Sequence, residues 1–232
     1  LSVTVHPAEA ELGYSESTGG VPYQNRDARF YVDILYNGAN YGVPTNCTDP
    51  VIVETYVGGA HGFNEIISME TKNSCTGYNS RKDKDVRFWG PNQSGLGPDI
   101  PWVFFRLAEF YLNKAEALCE IDDLDGAKSA LNVVRERALQ PKIENVPGFE
   151  NTRDFLRERI RNERRVELCL EGWRFHDQRR WKILDKTNRF ITGMRITVAS
   201  TGNDGKPNTF NYQRVKIRDY QSYTDKYVVM TI

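Results

Sequence analysis

The chain has no excess charge of either sign: lysine plus arginine number 31, and so do aspartate plus glutamate. That balance removes the long-range attraction that draws proteins to polyanions, so no nucleic-acid partner is expected. No apolar run approaches the ~20 residues that cross a bilayer as a helix. No signal segment opens the chain, although with Leu1 in place of an initiator methionine that absence excludes little. Histidine is scarce: His6, His61 and His176 do not cluster with cysteines, and the cysteine spacing fits no zinc site. The Gly-x-Ser-x-Gly elbow, a phosphate-binding glycine-rich loop and the His-Glu-x-x-His signature are all missing. Support for enzymatic activity goes with them, and no cofactor or metal is expected.

What is present is a globular composition, 39% hydrophobic and 27% charged, enough to bury a core of ordinary size. Cys119 and Cys169 sit in predicted helices among apolar neighbours and read as small buried hydrophobes. Cys47 and Cys75 lie in irregular, Gly- and Asn-rich sequence and are candidates for a disulfide if the compartment is oxidising.

Three segments follow one another. Residues 1–100 are rich in Gly, Pro, Asn and Tyr, with short strand-like runs at Phe30 to Tyr36 and Val51 to Val57, and read as long structured loops. Residues 101–185 are predicted helical. Residues 186–232 return to alternation, as in Arg195-Ile196-Thr197-Val198 and Tyr212 to Ile217, and predict strands or extended loops. All three are expected to belong to one larger domain.

In the helical segment, Phe105, Ala108, Leu112, Ala115 and Cys119 recur at intervals of three and four and make one apolar stripe. Ala127, Leu131, Val134 and Ala138 make another, after aspartates at positions 122, 123 and 125 that suit a helix N-terminus. Ala115 and Ala127 are small residues where two antiparallel helices must approach. Phe105 to Ala138 has the length of a tetratricopeptide-type hairpin, about 34 residues. One such unit cannot cover its own apolar face, so further helices should pack on it. A third helix starts at an Asn151 or Thr152 cap and runs to about Gly172.

That third helix is dense in charge. Glu167 and Glu171 are like charges at four-residue spacing and repel unless arginines intervene. Glu163, Arg164, Arg165, Glu167, Glu171, Arg174 and Asp177 are therefore read as a partly buried network joining helices. The competing reading makes Glu163, Glu167, Glu171 and Asp177 paired catalytic carboxylates, as in glycoside hydrolysis. Each has an arginine within three or four residues, which would hold it ionised and deny it the raised pKa of a general acid.

The runs Pro101 to Ala117, Glu163-Arg164-Arg165-Val166-Glu167-Leu168, Glu171-Gly172-Trp173-Arg174-Phe175-His176-Asp177 and Arg179-Arg180-Trp181 resemble the C-terminal half of the SusD/RagB family. So do Asn25-Arg26-Asp27-Ala28-Arg29-Phe30-Tyr31 before Leu35-Tyr36-Asn37-Gly38, and Thr76-Gly77-Tyr78 before Arg81-Lys82. The resemblance implies a mainly α fold, a partial superhelix of tetratricopeptide-like hairpins with long irregular loops and a few short strands. It also implies a lipid-anchored, surface-exposed outer-membrane protein of Bacteroidota. Such a protein binds glycans, or sometimes peptides, and delivers them to a TonB-dependent transporter of the SusC type. The lipobox cysteine and the family's N-terminal repeats are absent, so the sequence is expected to be a fragment, its lipid anchor outside it.

Sugar rings stack their C–H faces on aromatic rings while their hydroxyls seek Asn, Asp and Arg. Loop aromatics outside the helix stripes are accordingly the candidate ligand residues: Tyr41, Tyr56, Tyr78, Phe88 and Trp89, with Trp89 foremost and Trp173 and Trp181 assigned to the core. The alternative is a helical-repeat scaffold for protein interactions without a small ligand, and the Tyr- and Gly-rich first hundred residues argue against it.

Overall fold

The computed structural model describes residues 22–23, 26–44, 47–62, 74–82, 84–85, 103–183 and 191–218. They divide into two units, Leu1–Asp33 with Asp99–Arg174, and Ile34–Pro98 with Phe175–Ile232. Of the five predicted ligand residues, Phe88 and Trp89 lie outside the described residues.

The first unit is helical: α1 (Ala28–Asp33), α2 (Leu107–Glu120), α3 (Leu124–Arg137), a 3-10 turn at Ile143–Asn145, and α4 (Arg153–Glu167). Helix α2 packs on both α3 and α4. The seam is the one the stripes predict, with Leu112, Ala115 and Cys119 of α2 against Ala127, Leu131 and Val134 of α3, and with Leu156 and Ile160 of α4. Ala115 and Ala127 are both 0% exposed, so neither position has room for a larger side chain without spreading the helices. Leu131 is fully buried, and trimming it to alanine would cost about 2–5 kcal/mol.

The helix ends also follow from local chemistry. The Asp123 side chain accepts a hydrogen bond from the backbone N–H of Gly126 at 2.9 Å and starts α3. Thr152 Oγ1 accepts from Phe155 N–H at 3.3 Å and starts α4. Three expectations are corrected here. Phe105 stands before α2 and is 68% exposed rather than part of its buried stripe. Helix α4 stops at Glu167, well before Gly172, because Leu170 takes a left-handed φ of 68° that a continuing helix cannot accept. The strand-like run from Phe30 begins as helix α1, since Asp27 organises a helical turn: its carbonyl accepts from Phe30 N–H and its Oδ1 from Arg29 N–H, both at 2.9 Å.

Helix α5 (Trp173–Arg180) comes next in the chain, and the second unit is built from short ladders and one long hairpin. Strand β1 (Ile34–Leu35) pairs with β4 (Asn79–Ser80), and β2 (Asn40–Gly42) with β3 (Val51–Ile52), all antiparallel. Strands β5 (Ile191–Thr201) and β6 (Pro207–Arg218) form the hairpin, with Ile196 opposite Tyr212 and Val198 opposite Phe210. Leu35, Ala39, Tyr41 and Val53 make a small core. The hairpin is fastened to loops by two backbone hydrogen bonds of 2.8 Å, Met194 N–H to the Thr76 carbonyl and Val57 N–H to the Ile196 carbonyl. Glycine is required at that seam. Gly77 has φ +75° and a Cβ there would sit 2.3 Å from the Met194 carbonyl oxygen. Among the described residues, no helix is long and apolar enough to cross a membrane.

Candidate functional site

The charge network occupies the first unit. Arg29 Nη1 donates to Glu167 Oε2 at 2.9 Å and lies 2.7 Å from Glu163 Oε1, while its other nitrogens grip Asp27. Arg135 Nη1 donates to Glu163 Oε2 at 2.7 Å. From the residue before α2, Arg106 reaches Glu167 Oε1 at 2.5 Å and both oxygens of Glu171 at 2.8 and 2.8–3.1 Å. Arg137 closes on Glu167 from the end of α3.

The arginines between the carboxylates thus come from other elements. Arg164 turns to Asn113, at 2.6 Å, and lies over the Trp173 ring. Arg165 is exposed, Arg174 is half-buried, and Asp177 is buried and paired with Arg180 at 2.9 Å. Arg29, Arg106, Arg135 and Arg137 were missed by sequence reasoning that looked only at helical spacing, since their partners lie 28–138 residues away.

Burial acts to raise the pKa of Glu167, but hydrogen bonds from Arg106 and Arg29, with the charges of Arg106 and Arg137, outweigh it and lower the net value. A carboxylate held ionised in this way cannot donate a proton as a general acid near neutrality. Glu109 of α2 is buried with Oε2 lacking a hydrogen-bond partner among the described residues, but no cluster of metal-ligating groups occurs among them.

The described aromatic candidates belong to the second unit and differ in what they can offer. Tyr41 is 4% exposed, part of the small core, with its hydroxyl donating to the Asp85 carbonyl at 3.1 Å. Its ring has no open face for a ligand, which corrects its place among the candidates. Burial is also the first cause of its raised pKa, with the Asp85 charge adding to it. Tyr78 is half-buried at the end of a tight turn in which Ser74 and Thr76 hydroxyls both donate to its carbonyl, at 2.6 and 3.2 Å.

Tyr56 sits in a wound loop. Glu54 N–H donates to His61 Nδ1 at 3.1 Å, His61 N–H returns to the Glu54 carbonyl at 3.0 Å, and Ala60 N–H donates to Glu54 Oε2 at 3.2 Å. Gly59 and Gly62 have no room for a Cβ, which would fall 2.6 and 2.8 Å from backbone oxygens. Burial lowers the His61 pKa, against the opposing pull of Glu54. The Tyr56 ring is half-buried, 5.3 Å from Phe210. Slight burial and the Glu54 carboxylate, which its hydroxyl hydrogen-bonds, raise the Tyr56 pKa. Cys47 is exposed and Cys75 half-buried, and both are free thiols, so the candidate disulfide is not formed.

Comparison with known proteins decides the family. The model of the SusD family matches residues 11–229. The chain belongs to the SusD family. A SusD-like protein of Bacteroides fragilis superposes with a TM-score of 0.67 at 31% identity, covering 95% of this chain and 39% of that one. A second from the same organism, described as a SusD-like carbohydrate-binding protein, gives 0.54 at 25% identity over 91% of this chain and 40% of that one. The SusD-like protein P38 of Formosa agariphila is 30% identical over 120 residues, 49% of this chain and 23% of its own length. The chain therefore spans about a quarter of that curated relative and about two fifths of each of those solved structures. The SusD-like fold is mainly helical here, as the helical stripes and the family resemblance both imply.

Proposed function

We propose that this chain is part of a cell-surface binding protein that captures nutrient glycans, or peptides, and passes them to a TonB-dependent transporter of the SusC type. On this reading the helices of the first unit are a frame, and loops of the second unit meet the ligand through Tyr56 and Tyr78. Phe88 and Trp89, outside the described residues, complete the proposed set. A lipid anchor outside this sequence holds the protein at the outer membrane.

The observation that carries the proposal is the likeness, at 25% identity over 91% of the chain, to a SusD-like protein described as carbohydrate-binding. The arginine-clamped carboxylates support binding without turnover, because Glu167 is fixed in its ionised form.

The test is isothermal titration of the full-length protein with cellohexaose, maltohexaose, xylohexaose, mannohexaose and a mixture of short peptides, with product analysis of each incubation. Saturable binding of at least one probe with no product is the expected result. Product formation, or no binding of any probe, overturns it.

A further inference from the structure

We propose that His61 is an acid-operated latch: neutral, its ring holds the loop from Glu54 to Gly62 closed, and protonated, it lets that loop open.

The backbone leaving β3 is held at successive points. Val53 N–H donates to the Ala39 carbonyl at 2.9 Å, Thr55 N–H to Asn37 Oδ1 at 3.1 Å, and Val57 N–H to the Ile196 carbonyl at 2.8 Å. Glu54 N–H donates to His61 Nδ1 at 3.1 Å. Of these acceptors, only the imidazole takes up a proton between pH 5 and 8. An imidazole accepting at Nδ1 is neutral and carries its hydrogen on Nε2, whereas in the charged ring both nitrogens are donors. Proton uptake therefore sets two N–H groups against each other at the contact that closes the loop. The Glu54 amide loses its acceptor in a half-buried place.

The surroundings of His61 favour opening over a silent titration. Its own N–H returns to the Glu54 carbonyl at 3.0 Å, so the two residues clasp each other across the loop. The charge acting on the ring is the Glu54 carboxylate. That carboxylate already accepts from Ala60 N–H at 3.2 Å and from the Tyr56 hydroxyl, and an imidazolium can pair with it only by drawing it away from them. What the other elements bring to the loop is uncharged: the Asn37 amide, the Ile196 carbonyl and the Phe210 ring. Burial outweighs the pull of Glu54 and keeps the His61 pKa below its ordinary value. The closed loop thus binds the proton more weakly than the open one. Closure is fully present above the ordinary histidine pKa of about 6.5 and fades as pH falls through the lowered value.

The anchors at Val53, Thr55 and Val57 do not titrate, so the movement belongs to the arm beyond them. Glycines at 58, 59 and 62 give that arm backbone freedom. Tyr56, one of the proposed ligand residues, stands at its root, so on that reading the latch adds an acid-sensitive step to binding; the latch itself stands without it.

The test is amide hydrogen exchange of the unaltered full-length protein at about pH 7.5 and about pH 5, read by peptide mass and corrected for the intrinsic rate. Protection of residues 54–62 should fall about tenfold in acid, while the β5–β6 hairpin keeps its own. Exchange at the His61 ring C–H in the same protein should titrate below the ordinary value, at the pH where the loop opens. His61→Asn removes the titration, so whatever its protection at the higher pH, the ratio between the two conditions should be close to one. A loop equally protected at both pH values, an equal loss in the hairpin, a ring that titrates apart from the opening, or a His61→Asn protein that keeps the acid loss each overturns the latch.

Discussion

Arg29 Nη1 lies 2.7 Å from Oε1 of Glu163, a contact between side chains 10% and 1% exposed and far apart in the chain. Its hydrogen bond goes to Glu167 instead, so one guanidinium nitrogen serves two buried carboxylates. This ties α1 to α4, two helices with no neighbouring sequence. Removing Arg29 as alanine would leave both acids short of a cation in a dry site, and the expected cost is about 3–5 kcal/mol in urea denaturation of the full-length protein. Arg137 also meets Glu167, yet its side chain is 60% exposed, so Arg137→Ala should cost less than about 1 kcal/mol. Equal losses for the two variants would contradict this ranking.

The same cluster sets a pH dependence. Arginine hydrogen bonds hold the folded pKa of Glu167 below its ordinary value despite burial. The unfolded chain therefore takes up this proton at a higher pH than the folded one. The stabilisation is fully present above the ordinary glutamate pKa of about 4.3 and is lost as pH falls through the lowered folded value. Melting temperature should drop below about pH 5, and Glu167→Gln should melt lower at neutrality with a shallower acid slope. Parallel melting curves for the two proteins from neutral to acid pH would show that Glu167 carries none of the dependence.

Gly77 and Gly193 interlock two segments of the second unit. A Cβ on Gly193 would meet Thr76 Cα at 2.8 Å, and one on Gly77 would meet the Met194 carbonyl oxygen at 2.3 Å. Gly77→Ala combines backbone strain at φ +75° with that clash, so it should cost more than about 3 kcal/mol. Gly38 offers the control: its φ of +86° strains alanine as well, but nothing lies within 4 Å. Gly38→Ala should cost only about 1–2 kcal/mol by chemical denaturation. A Gly77 variant as stable as the Gly38 variant would show that the seam can yield.

How far the sequence could be read depends on the range of the interaction. The stripes of α2 and α3, the Asp123 and Thr152 caps and the β5 and β6 alternation are set by neighbours within a turn or a strand. They were legible. The end of α4 was not, because a stop signal was sought in Gly172 while Leu170 takes the left-handed conformation that glycine usually supplies. Helix α1 was read as strand because Phe30, Tyr31 and Val32 favour strands, and the Asp27 turn overrode that preference. Arg29 and Arg106 were invisible as partners of the glutamates, since no local pattern encodes contacts across 138 and 61 residues. Tyr41 was taken for a loop aromatic because its neighbours are polar, although it lies on β2 with its ring in the core.

Free cysteines give a direct chemical check. Cys47 is exposed, whereas Cys119 is buried with its thiol donating to the Arg153 carbonyl at 3.4 Å. Burial, then the nearby Glu120 charge, pushes the Cys119 thiol pKa up, which lowers its thiolate fraction further. A disulfide reagent should label Cys47 rapidly in the native protein and Cys119 only after denaturation. A native protein in which Cys47 resists the reagent until reductant is added would restore the Cys47 to Cys75 bridge.

Tyr41 and Tyr56 separate folding from binding within one unit. The Tyr41 hydroxyl bonds the Asp85 carbonyl at 3.1 Å from a ring 4% exposed, so Tyr41→Phe removes one buried hydrogen bond and nothing that a ligand can reach. It should cost about 1 kcal/mol of stability and leave the affinity for the bound hexasaccharide unchanged. Tyr56→Leu should do the reverse, because its ring is only half-buried and leucine keeps most of its packing volume. Calorimetric melting and titration on the same two variants check both halves. A weakened affinity in Tyr41→Phe would mean that the small core transmits its packing to the ligand, and that the two residues act together rather than apart.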